Sequence, residues 1–192
     1  MKKNVLLLID IQNDFLLGGS LAVPQGNEII SIANALSAKK NFFFQVIATQ
    51  DWHPHNHTSF VHVWPVHCVQ NTFGASFAAQ LNQKNIDKVF QKGVDPAIDS
   101  YSGFFDNDHK QATGLGDYLT SLGVTDVYIM GLATDYCVKF TALDSVSLGF
   151  KTHVIEDGCR GIDAQPGDVQ KAISDMKNHG IAFINSNDIE SL

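Results

Sequence analysis

The sequence holds little that would carry it into a membrane or onto a charged polymer. No stretch approaches the roughly 20 consecutive apolar residues that a membrane span requires. Residues 1–9 begin with Met-Lys-Lys and superficially resemble an export signal. Their apolar run, Val5–Ile9, is too short for one, and Asp10 interrupts it. A basic excess is missing as well: 13 lysines and arginines stand against 20 acidic residues, for a formal net charge of -7. That balance argues against a nucleic-acid or anionic-membrane partner. Charged residues make up only 17% of the chain, too few for disorder by self-repulsion. Three cysteines (Cys68, Cys137, Cys159) cannot all pair with one another and form no secreted disulfide framework. A reducing cytoplasm is the expected setting. Internal repeats, low-complexity tracts and linkers are also missing. With 192 residues and 44% hydrophobic content, one well-filled domain spanning 1–192 is expected.

What is present is an alternation. Short apolar runs at Val5–Ile9, Phe42–Ala48, Val89–Phe90, Val127–Met130, His153–Ile155 and Ile181–Ile184 read as strands. Amphipathic segments at Glu28–Ala38, Leu115–Leu122, Val138–Leu148 and Val169–Asn178 lie between several of them. Near-continuous apolar strands alternating with helices predict a three-layer α/β fold, with a mostly parallel sheet of about six strands covered on both faces. Ligands of such sheets bind outside the carboxyl ends of the strands. One region breaks the alternation. Asp51–Phe77 is long, aperiodic and rich in His, Trp and Pro, which marks a functional loop.

Four places along the chain could carry chemistry. Asp10 closes the first apolar run, where a carboxylate serves either as a partly desolvated base or as a cap for the next loop. The loop Asp51-Trp52-His53-Pro54-His55-Asn56-His57 opens a stretch that also contains His62 and His67, so five of the eight histidines fall together. Asp-x-His sets an oxygen donor beside a nitrogen donor, a pairing that Zn, Mn or Fe accepts. His67 would complete a three-ligand site; a solvated His-rich surface is the alternative. Cys68 beside it reads better as a buried structural thiol. Lys92, after an apolar run and before Gly93, gains interest only in company with an acid and a thiol. Finally, Gly131–Val138 carries a strand through a turn of small residues into a helix that begins near Cys137, with Thr134 or Asp135 as its cap. A cysteine in a first helical turn is favoured as thiolate, the nucleophilic form. Backbone N–H groups there could hold an oxyanion; a small core residue is the competing role. Cys159, read as lying in a loop after the fifth strand, receives no role.

Taken together, Asp10–Phe15 with Gly18–Leu21, Thr49–His53, Asn56–Phe60, Trp64–Val69, Lys92-Gly93, Tyr101–Phe104 and Gly131–Val138 resemble the nicotinamidase/pyrazinamidase family of isochorismatase-like cysteine hydrolases, in that family's order and spacing. The resemblance implies hydrolysis of nicotinamide to nicotinic acid and ammonia in NAD salvage, through a triad of Asp10, Lys92 and Cys137. It implies one divalent ion, zinc first and iron or manganese as alternatives, on Asp51, His53 and His67, with His57 a ligand in some relatives. It also implies a cis Leu132–Ala133 peptide and an oxyanion site at the N–H groups of Ala133 and Cys137. Phe15 and Trp64 would sandwich the pyridine ring, with Tyr101, Leu132 and Tyr136 completing the pocket; some relatives have histidine where Tyr136 stands. His55 and His62 are expected at the surface. Oligomers occur in the family, so a homo-oligomer is allowed. Isochorismatase, on the same fold, needs no thiol and lacks the Asp-x-His…His set. A non-catalytic metal module would leave acid, lysine and thiol unexplained.

Overall fold

A computed structural model describes residues 2–191. Among the described residues six strands form one all-parallel sheet: β1 (Asn4–Ile9), β2 (Gln45–Asp51), β3 (Lys88–Lys92), β4 (Asp126–Leu132), β5 (Lys151–Arg160) and β6 (Ala182–Ile184), in the spatial order β3-β2-β1-β4-β5-β6. The helices are α1 (Ile29–Ser37), α2 (Ser59–His62), α3 (Leu115–Ser121), α4 (Lys139–Ser147) and α5 (Asp168–Asn178), with short 3-10 turns between. α1 packs on β1 and β5, whereas α4 packs on β5 and α5. Right-handed crossovers put α1 on one face of the sheet and α3, α4 and α5 on the other. Burial on both faces is why β1 reads as an unbroken apolar run. Val5, Leu6, Leu7, Leu8 and Ile9 are each at most 1% exposed, worth at most about 1.5–3 kcal/mol apiece in water exclusion.

The strand ends depart from the hydrophobic pattern. The aromatic run Phe42–Phe44 precedes β2 rather than opening it. Phe42 and Phe43 meet Tyr128 edge to face, with ring centroids 5.3 and 5.5 Å away, and plug the amino end of the sheet. At its other end β2 continues through Thr49, Gln50 and Asp51, all buried. Hydropathy stops there while the ladder to β3 goes on, as far as the Asp51↔Lys92 pair. β3 likewise includes Lys92 as its last residue. β5 runs ten residues to Arg160, past an irregularity in its pairing with β4 between Ile129 and Gly131. Cys159 therefore belongs to a strand and not to a loop, and the alternation of burial after that irregularity is what hid it.

The order reverses between β1 and β4, the switch point where a crevice opens at the carboxyl ends. Asp10 follows β1, and β4 leads into the segment bearing Cys137. Gly131 makes this crossing possible: its φ is +136°, and a Cβ there would stand 2.2 Å from the carbonyl oxygen of Ile9. Gly131→Ala is expected to cost about 3 kcal/mol and to lower the melting temperature by roughly 6–12 °C. Differential scanning calorimetry would register this, and an unchanged melt would show that β1 and β4 tolerate a side chain at their closest approach.

Candidate active site

The crevice draws its groups from the ends of four neighbouring strands. Asp10 is fully buried, with φ of 49°, and its Oδ1 accepts a 2.6 Å hydrogen bond from the Thr49 hydroxyl. Lys92 is 1% exposed and is the centre of the constellation. Its Nζ donates to Asp51 Oδ1, to the Ser100 carbonyl at 2.9 Å and to Cys137 Sγ at 3.4 Å, and lies 3.0 Å from Asp10 Oδ2. Asp10, Asp51 and Cys137 each bring a donor atom within 4.8 Å of the other two.

The protonation states follow from this crowding. Burial alone would lower the Lys92 pKa, but the Asp10 and Asp51 carboxylates outweigh it and hold the ammonium charged. For Asp51 burial acts upward, yet Lys92 and His53 carry its carboxyl far below the ordinary range. Asp10 keeps a raised pKa because burial and the nearby Asp51 charge exceed the help from Lys92 and Thr49. Burial also pushes the Cys137 thiol well up; Lys92 opposes this, while Asp10 and Asp51 add to it. Burial thus acts against the thiolate that a helix start alone would favour. The Cys137 thiol and the Asp10 carboxyl, both held above their ordinary pKa by burial, face each other across Lys92.

The backbone around Cys137 differs from expectation too. Thr134–Val138 is a π-helical turn that feeds α4, and no side chain caps it. Asp135 turns elsewhere: its carboxylate accepts the N–H groups of Ile162 at 2.9 Å and Asp163 at 2.8 Å. That contact ties the segment after β5 to the turn that bears Cys137. In one respect the backbone is as the resemblance implied: the Leu132–Ala133 peptide is cis.

Asp51, His53 and His67 are buried with one donor atom each inside a 4.8 Å cluster. His53 Nε2 is 3.5 Å and His67 Nε2 is 3.8 Å from Asp51 Oδ2. Their other ring nitrogens are committed: Nδ1 of His53 contacts the Gly93 carbonyl and Nδ1 of His67 the Pro65 carbonyl, both at 2.8 Å. A carbonyl only accepts, so each Nδ1 carries the proton and each Nε2 offers a lone pair. Two imidazole nitrogens and a carboxylate oxygen converging in this way fit a divalent ion with open positions. His57 stacks on His53 at 4.0 Å, its Nδ1 accepts the Ser59 N–H at 3.4 Å and lies 2.7 Å from Ser59 Oγ, and its Nε2 is buried with no hydrogen-bond partner among the described residues. It clusters with His53 and Asp99 rather than with Asp51 and His67. His55 is exposed; the side chain of His62 lies outside the described residues.

The pocket above these groups is lined by Phe15, Trp64, Tyr101, Ala133, Tyr136 and Cys137, with Asp51 and His67 on its floor. Trp64 Nε1 donates to the Tyr101 hydroxyl at 3.2 Å, and the Trp64 ring meets Tyr136 edge to face at 4.9 Å. Leu132, expected as a pocket residue, is 1% exposed and directs its side chain toward Gly26 instead. As the last residue of a strand buried on both faces, it packs in the core. Leu21, marked in the sequence only within the Gly18–Leu21 segment, also lines the pocket, and so do Asp99 and Ile162, which the sequence did not single out. Nothing local marks Asp99 or Ile162, and Ile162 is delivered by a distant contact, its N–H bonded to Asp135.

Comparison with known proteins accords with this geometry. The isochorismatase domain model matches residues 4–188. A nicotinamidase of Escherichia coli is 46% identical over 94% of this chain and 93% of its own length. The chain belongs to the isochorismatase family, in its nicotinamidase branch. Among solved structures, an Acinetobacter baumanii nicotinamidase/pyrazinamidase superposes with a TM-score of 0.93 at 41% identity, covering 98% of this chain and 99% of its own. A Pyrococcus horikoshii pyrazinamidase in complex with zinc gives 0.84 at 38% identity, over 95% and 99%.

Two substitutions probe whether the Asp51, His53 and His67 cluster holds a metal. A Cβ at residue 93, where φ is +63°, would fall 2.3 Å from His53 Cε1, so Gly93→Ala should displace the ring. Both His53→Ala and Gly93→Ala are expected to leave the purified protein with less than about a tenth of the wild-type metal content. Elemental analysis decides, and full metal loading in His53→Ala would remove that residue from the ligand set.

Proposed function

We infer that this chain is an amidohydrolase that converts nicotinamide, and by the same chemistry pyrazinamide, to the free aromatic acid and ammonia. The observation that carries the reading is the meeting of an acid, a buried ammonium and a thiol with a divalent-metal donor set on one aromatic-walled pocket. The nicotinate formed is a substrate for NAD salvage. Zinc on Asp51, His53 and His67 is the proposed cofactor, with iron or manganese compatible with the same donors. Of the alternatives, a non-catalytic metal module has no use for a thiol and a proton acceptor beside its ligands.

The residues divide the work as follows. Phe15, Trp64 and Tyr136 enclose the aromatic ring and bring the carboxamide carbon over Cys137 Sγ. Asp10, kept proton-hungry by burial, takes the thiol proton as sulfur attacks, and Lys92 holds the two groups in register by charge. The N–H groups of Ala133 and Cys137, on the pocket wall, receive the oxyanion. Asp10 then gives the proton to the departing nitrogen, the C–N bond breaks, and ammonia leaves a thioester on Cys137. Water attacks the thioester while Asp10 accepts its proton, the C–S bond breaks, and the acid is released with the thiol restored. A divalent ion bound at the histidines supplies Lewis-acid character and an electrostatic anchor beside the ring.

Cys137→Ala should reduce ammonia release from nicotinamide by at least about 10⁴-fold while keeping metal content and melting temperature, as read by a coupled ammonia assay. Turnover near the wild-type rate would rule out the covalent route. Thr49→Val removes a hydrogen bond that favours the ionised form of Asp10, so the Asp10 pKa should rise further. Activity that needs the ionised acid is then lost at a higher pH: the acidic limb of kcat/KM should move up by about 1 pH unit. A limb that stays in place would separate Asp10 from the proton transfer.

A further inference from the structure

The geometry points to Gln12 and Asp14 as the positioning residues of the metal centre, each gripping the backbone of a different ligand-bearing segment. Gln12 is fully buried between Asp10 and the pocket-wall residue Phe15. Its Oε1 accepts the Asp51 N–H at 2.8 Å, and its Nε2 donates to the Asp51 carbonyl and the Ala75 carbonyl, each at 2.8 Å. One amide thus clasps both backbone groups of the carboxylate ligand, and the pattern of one donor and two acceptors facing it fixes which end is oxygen. Asp51 is the last residue of β2, where the next residues leave the sheet. Without the clasp its position would depend on the ladder to β3 and the ion pair with Lys92 alone.

Asp14 does the equivalent for the other arm. Its Oδ2 accepts the N–H of Cys68, next to His67, at 2.7 Å, and Oδ1 accepts from Ser20 at 3.4 Å. Cys68 has φ of 45° and passes its carbonyl to the His53 N–H at 3.0 Å. The segment is therefore held from Asp14 through Cys68 to His53. Gly74 is packed so closely over this carboxylate that a Cβ would fall 2.0 Å from Asp14 Oδ2, so the loop is shaped around the acid. Neither residue reaches the pocket or the donor cluster; both act through backbone. Outer partners of this kind typically change metal affinity by about 10–100-fold when lost.

This inference rests on the reading that Asp51, His53 and His67 hold a divalent ion. The test is competition for Zn²⁺ between a chromogenic chelator and the apoprotein. Gln12→Glu, which sets an oxygen against two carbonyls, and Asp14→Ala should weaken Zn²⁺ binding by at least about tenfold. Asp14→Asn, able to keep the acceptor at Cys68, should recover most of the affinity. Ser76→Ala serves as a control on the same loop: it loses a 3.2 Å bond to the Thr72 carbonyl but no side-chain grip on a ligand segment, so its Zn²⁺ affinity should stay at the wild-type value. If Gln12→Glu does not fold, Gln12→Met takes its place. Wild-type Zn²⁺ affinity in folded Gln12 and Asp14 variants overturns the positioning role while leaving the metal centre standing. A wild-type protein that does not retain Zn²⁺ against the chelator overturns the metal centre and the positioning role together.

Discussion

The active end of this molecule depends on one buried cation. Lys92 lies within 3.0 Å of Asp10 and also binds Asp51, Ser100 and Cys137. Two carboxylates and a thiol are withdrawn from water here, and an unpaired buried charge would be far too costly to keep. The ammonium offsets that cost for both acids at once. It also separates them in character: Asp51 becomes strongly acidic, fit to remain an anion, whereas Asp10 stays proton-hungry. Two equally buried aspartates at the ends of adjacent strands are thereby given different chemistry by Lys92 and, on Asp51 alone, by His53 and His67.

The sheet is what allows a single lysine to do this. β1, β2 and β3 are neighbours, and the Asp51↔Lys92 rung is the last of its ladder. Parallel strands place all their carboxyl ends on one edge, so Asp10, Asp51 and Lys92 meet without any loop having to bend inward. Cys137 arrives from the far side of the switch point through the turn after β4. The loop between β2 and β3, which carries the histidines, has little regular structure to hold it. Backbone hydrogen bonds such as His53 N–H to the Cys68 carbonyl hold it within itself, and the side chains of Gln12, Asn13 and Asp14, just after β1, tie it to the sheet end.

Much of this was legible in the amino-acid order. The apolar runs and their alternation with amphipathic segments give the α/β class and locate all six strands, because a sheet covered on both faces leaves an unbroken hydrophobic signature. The density of histidines after Asp51 and the small-residue turn before Cys137 mark the two chemical segments, and the family's motifs join them. Less was legible where polar residues are buried. Thr49, Gln50, Asp51 and Lys92 continue strands that hydropathy ends too early, since hydrogen bonding rather than apolar burial keeps them there. Leu132 was read as a pocket residue from its motif, but the strand turns its side chain into the core.

The sequence by itself determined which groups could act: an acid after the first strand, a lysine after the third, a thiol after the fourth, and oxygen and nitrogen donors on one loop. Local order decides such things because strand ends and turn chemistry are short-range properties. Only the tertiary structure decided what those groups are. Burial holds the Cys137 thiol above its ordinary pKa where a helix start alone would favour thiolate, Asp135 holds the segment after β5 where it would have capped its own helix, and Gln12 and Asp14 grip the backbone of the loop that carries the histidines. Each of these depends on charges and hydrogen bonds between residues far apart in the chain, and those interactions come into being only when the parallel sheet brings the strand ends to one edge.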